Sequence, residues 1–542
     1  MGNTIRSKQQ AVVLFLTLCA LVIPLVIIEW QVIRLTGGKL IYPLDDTYIH
    51  MAIAKNVALY NNWGISPHAF QSASSSVLYT VLLGALFKLF SVSTVIPFIV
   101  NLVAGIILIF VIQRRLQKEN IGFIWQLFIL LLVIFFTPLP ILIISGMEHT
   151  IQCLLSFLFI FSFSAWAGSL DRTNPEQKPV PKSLFIYGMA ICSVRYEGLF
   201  IIAIACCILL YYRKLAAAFL LGFISILPLI VFGVVSVGKE SYFLPNSVLL
   251  KASPVEIAGA GFSGYVSDIL IDKLTLAKTG ITALATQRLL IILPLAYLLF
   301  RNQLKRKASY SLVILFIVIC TLLQLCFAKT GWFYRYEAYL IMCSVVIVSI
   351  LAVKYTDQLR WRENKALLPV FLLISFFLFF PLVLRSSSAY SKAAQACKNI
   401  YEQQCQMANF INKFYNADTI AVNDIGAVSF FNESTIIDLW GLADMDVAKA
   451  KKDNYDTPAF LNGIVARHKV EFAIVYDSWF DPVLLHQWKK VATWQIENNV
   501  ICGDATVSFY AVKPGSDKIL VRNLTTYQSL LPADVTVKYY NE

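Results

Sequence analysis

The stretch Tyr42-Pro43-Leu44-Asp45-Asp46-Thr47-Tyr48-Ile49-His50 places two adjacent carboxylates just after a long apolar run. Carboxylates are costly near hydrocarbon, so a pair at the edge of a bilayer points to a use. One use is acid–base chemistry: a carboxylate takes the proton from an attacking hydroxyl, and its neighbour raises its pKa to suit. Asp45 is the first choice for that base, with Asp46 as partner or alternate. The other use is to hold a divalent cation, Mg or Mn, between Asp45 and Asp46. The plain alternative is a helix cap beside a solvated neighbour.

Four further groups carry chemistry. They are Gly146-Met147-Glu148-His149, Arg195-Tyr196-Glu197-Gly198, Pro245-Asn246-Ser247 with Lys251, and Arg335-Tyr336. Arginine and lysine are the preferred partners of phosphate, so Arg335, Arg195 and Lys251 are the candidates for an anionic headgroup. Tyr48, His50, Glu148, Glu197, Asn246 and Tyr336 are candidates for holding the rest of a substrate. His50 lies one turn after Asp46 and shares its helix face. Structural explanations stand beside these: an Arg195–Glu197 ion pair, Glu148 at a helix start, and Trp332 and its tyrosine neighbours at a membrane interface.

The elements that must position these residues are membrane helices. The chain has 542 residues, of which 58% are hydrophobic and 14% charged, with mean hydropathy +0.68. Soluble domains carry about 25% charged residues. The net charge of +13 does not indicate nucleic acid, because the basic residues cluster in short loops between apolar runs. That clustering is a topology signal. No zinc spacing, P-loop or dinucleotide fingerprint is present in the sequence.

Apolar spans are expected at 11–31, 95–113, 121–145, 149–168, 182–194, 197–212, 215–237, 287–300, 307–328, 337–354 and 367–385. The first, with Arg6 and Lys8 before it, reads as a retained signal anchor. Val77 to Phe90 reads as a helix at the interface. With that choice every basic loop cluster falls on the side of the N-terminus, as the positive-inside rule requires. The result is eleven spans, with the N-terminus cytoplasmic and the C-terminus outside. Asp45, Asp46, Glu148, Arg195, Glu197, Asn246, Lys251 and Arg335 then all face outward.

The outer loop 32–94 should hold a helix over 46–60 with an Ile49, Ile53, Val57 stripe lying along the membrane, capped by Asp45 or Asp46. Residues 238–286 form a second long outer loop, with a short amphipathic helix over Tyr265–Leu274. From 386 to 542 the composition turns polar, and an extracytoplasmic α/β domain is expected. Its helices fall at 389–414 and 458–468, and its strands at 419–422, 436–439, 471–476, 491–496 and 506–512. Cys397 and Cys405 are about 12 Å apart on such a helix, too far for a disulfide. A bridge to Cys502 stays open. Asn432-Glu433-Ser434 and Asn523-Leu524-Thr525 match the glycosylation acceptor pattern, which arises often by chance.

Taken in order, Asp45-Asp46-Thr47-Tyr48-Ile49, Gly146-Met147-Glu148, Arg195-Tyr196-Glu197-Gly198, Pro245-Asn246-Ser247 and Arg335-Tyr336 resemble the motifs of GT-C glycosyltransferases. The likeness is to bacterial enzymes similar to the mycobacterial cell-wall arabinofuranosyltransferases. It departs from them at Tyr196, where proline is usual, and at Ser247, where threonine is usual. The resemblance implies a multi-pass protein of the cell (inner) membrane. It implies sugar transfer, with inversion, from a polyprenyl-phosphate donor to a glycan or lipid-linked acceptor of the cell envelope. Asp45 or Asp46 would be base or metal ligand. Two rival classes use the same charges: a flippase for lipid-linked glycans, and a non-catalytic assembly partner. Neither internal repeats nor mid-membrane polar breaks favour a transporter.

Overall fold

The computed structural model describes residues 2–170, 178–251, 281–355, 367–416 and 418–540. Every predicted span contains a helix. Among the described residues seven helices are long and apolar enough to cross a membrane: Ser7–Leu35, Val95–Lys118, His149–Ala167, Leu215–Gly238, Ala308–Phe327, Ala338–Tyr355 and Leu373–Phe414. Shorter apolar helices occupy the other four predicted spans. The 121–145 span is not continuous. It breaks after Phe136 and resumes as Leu139–Ile144, because Pro138 cannot continue the first helix. The expected Tyr265–Leu274 helix lies outside the described residues, as does most of its loop.

One end of the bundle gathers basic residues on a single carboxylate. Glu119 meets Arg115 at 2.8 Å, Lys354 at 2.6 Å and Lys307 at 3.5 Å. The opposite end carries the sequence motifs and the C-terminal domain. No linker separates the two parts. The last apolar helix, Leu367–Ile400, runs on through a π-helical turn, Tyr401–Cys405, into Gln406–Phe414. The boundary expected at 386 therefore falls inside one continuous helical rod.

The C-terminal domain is a six-stranded mixed sheet with strands β1 (Thr419–Val422), β2 (Thr435–Asp438), β3 (Phe472–Val475), β4 (Lys489–Gln495), β5 (Thr506–Ala511) and β6 (Thr536–Tyr539), ordered β2-β1-β3-β5-β4-β6. β1 pairs in parallel with β2 and β3, and the other pairings are antiparallel. Five strands match the expectation. β6 is a half-exposed edge without a buried apolar face, which is why its sequence gives little signal. All eleven cysteines are free thiols, and Cys502 Sγ lies 3.4 Å from Gln404 Oε1 instead of in a bridge. Asn432 and Asn523 are both buried, which removes the two acceptor patterns from the surface.

The domain docks on the Asp45–Tyr60 helix. Neither aspartate caps that helix, against expectation: its cap position is Leu44, with no side-chain cap bond. The helix is covered on both sides. It is buried from Thr47 to Ala54, between the Val77–Phe90 helix and the short helix Gly426–Phe431 of the domain. The Asp45 carboxylate accepts from the Gly426 and Ala427 N–H groups at 2.7 and 2.8 Å. Ten positions later, Lys55 Nζ donates to the Phe430 carbonyl at 2.8 Å and to Ser429 and Asn432 at 3.3 Å. An acid at a helix N-terminus and a base at its C-terminus both complement the macrodipole. A Cβ on Gly426 would lie 2.1 Å from the Asp45 carbonyl oxygen, so only glycine allows this approach.

A second clamp fixes the turn before Ala338–Tyr355. Gly331, Trp332, Phe333 and Tyr334 all have positive φ, from 39° to 83°. Three non-glycine residues in this region cost about 1–2 kcal/mol each. The surrounding bonds outweigh that cost. Glu337 accepts from Gly331 N–H at 2.8 Å and from Arg385 Nε at 2.7 Å, and Arg385 donates to the Tyr334 carbonyl at 2.5 Å and to Phe136 at 3.2 Å. Arg385 and Glu337 are fully buried. Removing one member of such a pair strands the other charge, so Glu337→Ala and Arg385→Ala should each cost about 3–5 kcal/mol. Thermal unfolding in detergent would show it, and a Glu337→Gln, Arg385→Met double variant should recover part of the loss.

Candidate functional site

Two adjoining cavities meet at Asp46. The first, about 290 Å³, is lined by the polar residues Asp46, Ser75, Arg195, Glu197, Lys329, Arg335 and Tyr336 and by the apolar residues Leu199, Phe200, Leu244, Val248 and Phe327. The second, about 320 Å³, lies under the C-terminal domain. Asp45, Asp46, Lys329 and Tyr336 form its floor, while Gln404, Asn423, Asp424, Trp440 and Trp479 descend from the domain. Asp46, Lys329 and Tyr336 border both.

Arg335 is the dominant charge. It is only 2% exposed, and one guanidinium nitrogen, Nη2, donates to Asp46 at 2.5 Å and to the Tyr336 hydroxyl at 3.1 Å. Its Nε and Nη1 are buried and have no hydrogen-bond partner. An unsatisfied buried donor costs about 1–3 kcal/mol, and more when charged. Arg335 lines the first cavity with these two donors unspent, and an under-satisfied cation at a cavity favours an anion there. Arg195 is different. It bonds Glu197 twice, Nε at 3.0 Å and Nη2 at 2.6 Å, and its Nη1 reaches Glu148 at 3.0 Å. Its donors are committed to two carboxylates, so it frames the site. The Tyr336 ring lies between the two guanidinium groups, 4.9 Å from Arg335 and 5.3 Å from Arg195.

The remaining predicted residues divide between wall and scaffold. Glu197 and Tyr336 line the first cavity. Tyr48 does not: its hydroxyl accepts from Tyr42 N–H at 3.1 Å and its ring packs on Phe430 and Phe431. His50 is bonded behind the wall to Thr80 at 3.0 Å and Ser74 at 3.1 Å, with Glu148 3.6 Å from its Nε2. Glu148 is fully buried against Arg195. Asn246 is buried too, its amide reaching Gly441 of the domain at 3.4 Å, while its neighbour Ser247 is the wall residue. Lys251 ends the short helix Asn246–Lys251, and its side chain lies outside the described atoms.

Sequence reasoning missed Lys329, Asp424, Trp440 and Trp479. Lys329 sits six residues before Arg335, just ahead of the left-handed turn. Asp424 belongs to the Asn423–Ala427 stretch, and nothing in one sequence shows that this stretch descends onto Asp45. Asp424 accepts from Tyr476 at 2.7 Å and Gln404 at 2.8 Å.

The acids fit Mg or Mn poorly. Asp46 is paired with Arg335, and both Asp45 oxygens accept backbone N–H bonds. Among the described residues no three acid, histidine or cysteine side chains group as ligands.

A family model described only as a domain of unknown function, DUF8728, matches residues 398–510. No curated protein matches the sequence. Among solved structures the chain is similar to ArnT from Cupriavidus metallidurans, determined bound to undecaprenyl phosphate, at 10% identity. The match covers 92% of this chain and 98% of that one, with a TM-score of 0.53. The likeness shows the fold: a polytopic helical membrane protein with a C-terminal domain, arranged as in ArnT.

Burial and the adjacent Asp424 carboxylate push the Asp45 pKa up from 3.8 to about 8, against the two N–H bonds that favour the anion. A carboxyl raised on folding holds a proton that the unfolded chain has released. Its contribution is therefore fully present below pH 3.8 and is lost as pH rises toward 8. Asp45→Asn should flatten the decline in thermal stability between about pH 4 and 8. Melting curves across that range, compared with wild type, would check it.

Proposed function

We propose that the chain is an integral-membrane glycosyltransferase that takes its sugar from a polyprenyl-phosphate donor. The observation that carries this reading is Arg335, a buried cation with two unpartnered donors, which lines a cavity shared with Phe200, Leu244 and Phe327. A phosphate at Arg335 and Lys329 and an isoprenoid against Phe200, Leu244 and Phe327 would satisfy both sets of residues. The undecaprenyl phosphate in the structurally similar ArnT supports that choice. The basic cluster at the far end of the bundle supports a cytoplasmic N-terminus and a site outside the inner membrane.

Asp46 is the base in this reading, one residue along from the first expectation, because it borders both cavities while both Asp45 oxygens hold the domain. Asp46 accepts the proton of an acceptor hydroxyl in the second cavity. The freed oxygen attacks the anomeric carbon, the bond from that carbon to the phosphate oxygen breaks, and the lipid phosphate leaves with the electron pair. A single displacement inverts the anomeric centre. Protonation of Asp46 removes the counter-charge of Arg335 at the moment the leaving phosphate gains charge. Preorganised donors aimed at developing charge are the largest usual source of rate. A flippase has no use for a carboxylate shared by a donor and an acceptor chamber. The motif order makes arabinofuranose the first sugar to offer.

Sugar transfer by the purified protein in lipid, with a panel of polyprenyl-phosphate sugars, tests the reading. Arg335→Ala should lower kcat by about 10²-fold or more. Asp46→Asn should lower it by about 10²–10⁴-fold, and Asp45→Asn by less. Normal turnover with Asp46→Asn would return the role to Asp45, unchanged turnover in all three would take these residues out of the mechanism, and no transfer by the wild type from any donor would overturn the reading.

A further inference from the structure

Trp479 stands between two cavities. One is the chamber under the C-terminal domain. The other, about 180 Å³, lies wholly within that domain and is lined by Lys451, Asp456, Trp479, Phe480 and Asp481 over a floor of leucines. Trp440 packs on Trp479 with ring centroids 4.4 Å apart, and Lys451 lies over the Trp440 ring. With Trp332 at the inner cavity, the rings make an aromatic path from Asp46 outward. Gly503 keeps that path open, since a Cβ there would lie 2.4 Å from Trp479 Cζ2.

The polar groups along the path are mostly acids. Asp46 and Asp424 line the inner cavity with Lys329, and Asp456 and Asp481 line the outer one with Lys451, so carboxylates outnumber amines in each. Asp481 Oδ1 accepts from Val483 N–H at 2.8 Å and Lys451 donates to the Trp440 carbonyl at 3.2 Å, so Asp456 and the second Asp481 oxygen are the outer acceptors. A phosphorylated or carboxylated ligand would meet like charge. Hydroxyl groups donate to carboxylates, and the C–H face of a sugar ring packs on an indole.

We infer that the acceptor is an uncharged glycan more than one residue long, its reactive residue over Asp46 and its trailing residue across Trp479 in the Asp456 pocket. This rests on the glycosyl-transfer reading and adds to it a substrate class and a second binding site. The glycan must then bind better as it lengthens, until the outer pocket is filled.

The full chain in lipid nanodiscs would be offered ladders of uncharged arabino-, gluco-, galacto- and manno-oligosaccharides from one to six residues, with sugar phosphates alongside. Binding would be read by tryptophan fluorescence and calorimetry. Affinity should rise about tenfold from one residue to three in at least one series. Trp479→Ala and Asp456→Asn should lose that rise, and Gly503→Ala should weaken it by displacing the indole. Asp456 is half-exposed, so its variant keeps the test open should Trp479→Ala not fold. Equal affinity at every length, no binding in any series, preference for the sugar phosphates, or a wild-type ladder in Asp456→Asn would overturn the inference. Undecaprenyl-phosphate binding in the same samples separates the two claims. Its absence would count against the glycosyl-transfer reading, whereas a flat ladder beside intact lipid binding would overturn the glycan path alone.

Discussion

A guanidinium buried at the end of a membrane bundle, with one acid and one tyrosine as its partners, sets the terms for everything around it. Arg335 could not be held there without the Asp46 carboxylate 2.5 Å away, because an uncompensated buried charge costs several kcal/mol. Asp46 in turn sits on a helix nearly 300 positions earlier in the chain, so the pair ties the first outer segment to the last third of the bundle. Two of the Arg335 nitrogens are left without partners, and the left-handed turn before it is held by the Glu337–Arg385 pair. Backbone strain, a fully buried ion pair and an under-satisfied cation converge on one side chain. That combination is expected where a structure is organised for a ligand and not for its own stability.

The adjacent aspartate has a separate role. Asp45 and Lys55 grip the Gly426–Phe431 helix at its two ends. Their spacing matches the helix they hold. Ten positions along a helix cover about 15 Å, and six residues of the gripped helix about 9 Å, leaving room for one capping side chain at each end. The grip brings Asp424, Trp440 and Trp479 over Asp46 and so builds the second cavity. Two neighbouring carboxylates thereby divide between the cavity arginine and the docked helix, set apart by which groups reach them.

Much of the architecture was legible in the sequence. Apolar runs marked a helix in every predicted span, because a membrane helix must be apolar along its length, and five strands of the sheet declared themselves as short, almost wholly buried apolar runs. The site was legible as a set of motifs sharing one face, and Asp46, Arg195, Glu197, Arg335 and Tyr336 do meet there. Which arginine is spent and which is available was not legible, since the Arg195 commitments depend on Glu148 arriving from another helix. Tyr48 and His50 carried the right residue types but point into packing, because a helix covered on both sides has few positions left to face a cavity. Asp424, Trp440 and Trp479 lie 379 to 434 positions from Asp45, and only the docking of the domain makes them neighbours.

The two cavities differ in the sign of the charge they present, and this difference gives the site a direction. In the proposed reading the donor side offers Arg335 beside apolar residues, while the acceptor side offers the carboxylates of Asp46 and Asp424 with indole rings. A lipid phosphate is attracted to the first and repelled by the second; a hydroxyl-rich neutral chain has no such preference against the second. Lys329 borders both sides and keeps the shared wall from becoming wholly acidic. Asp46 is the point where the two fields meet. A proton arriving there cancels one negative charge, weakens its hold on Arg335 and strengthens the attraction of that arginine for an anion in the first cavity. Events in the acceptor chamber are thus felt in the donor chamber through one ion pair, without any movement of the helices that hold it.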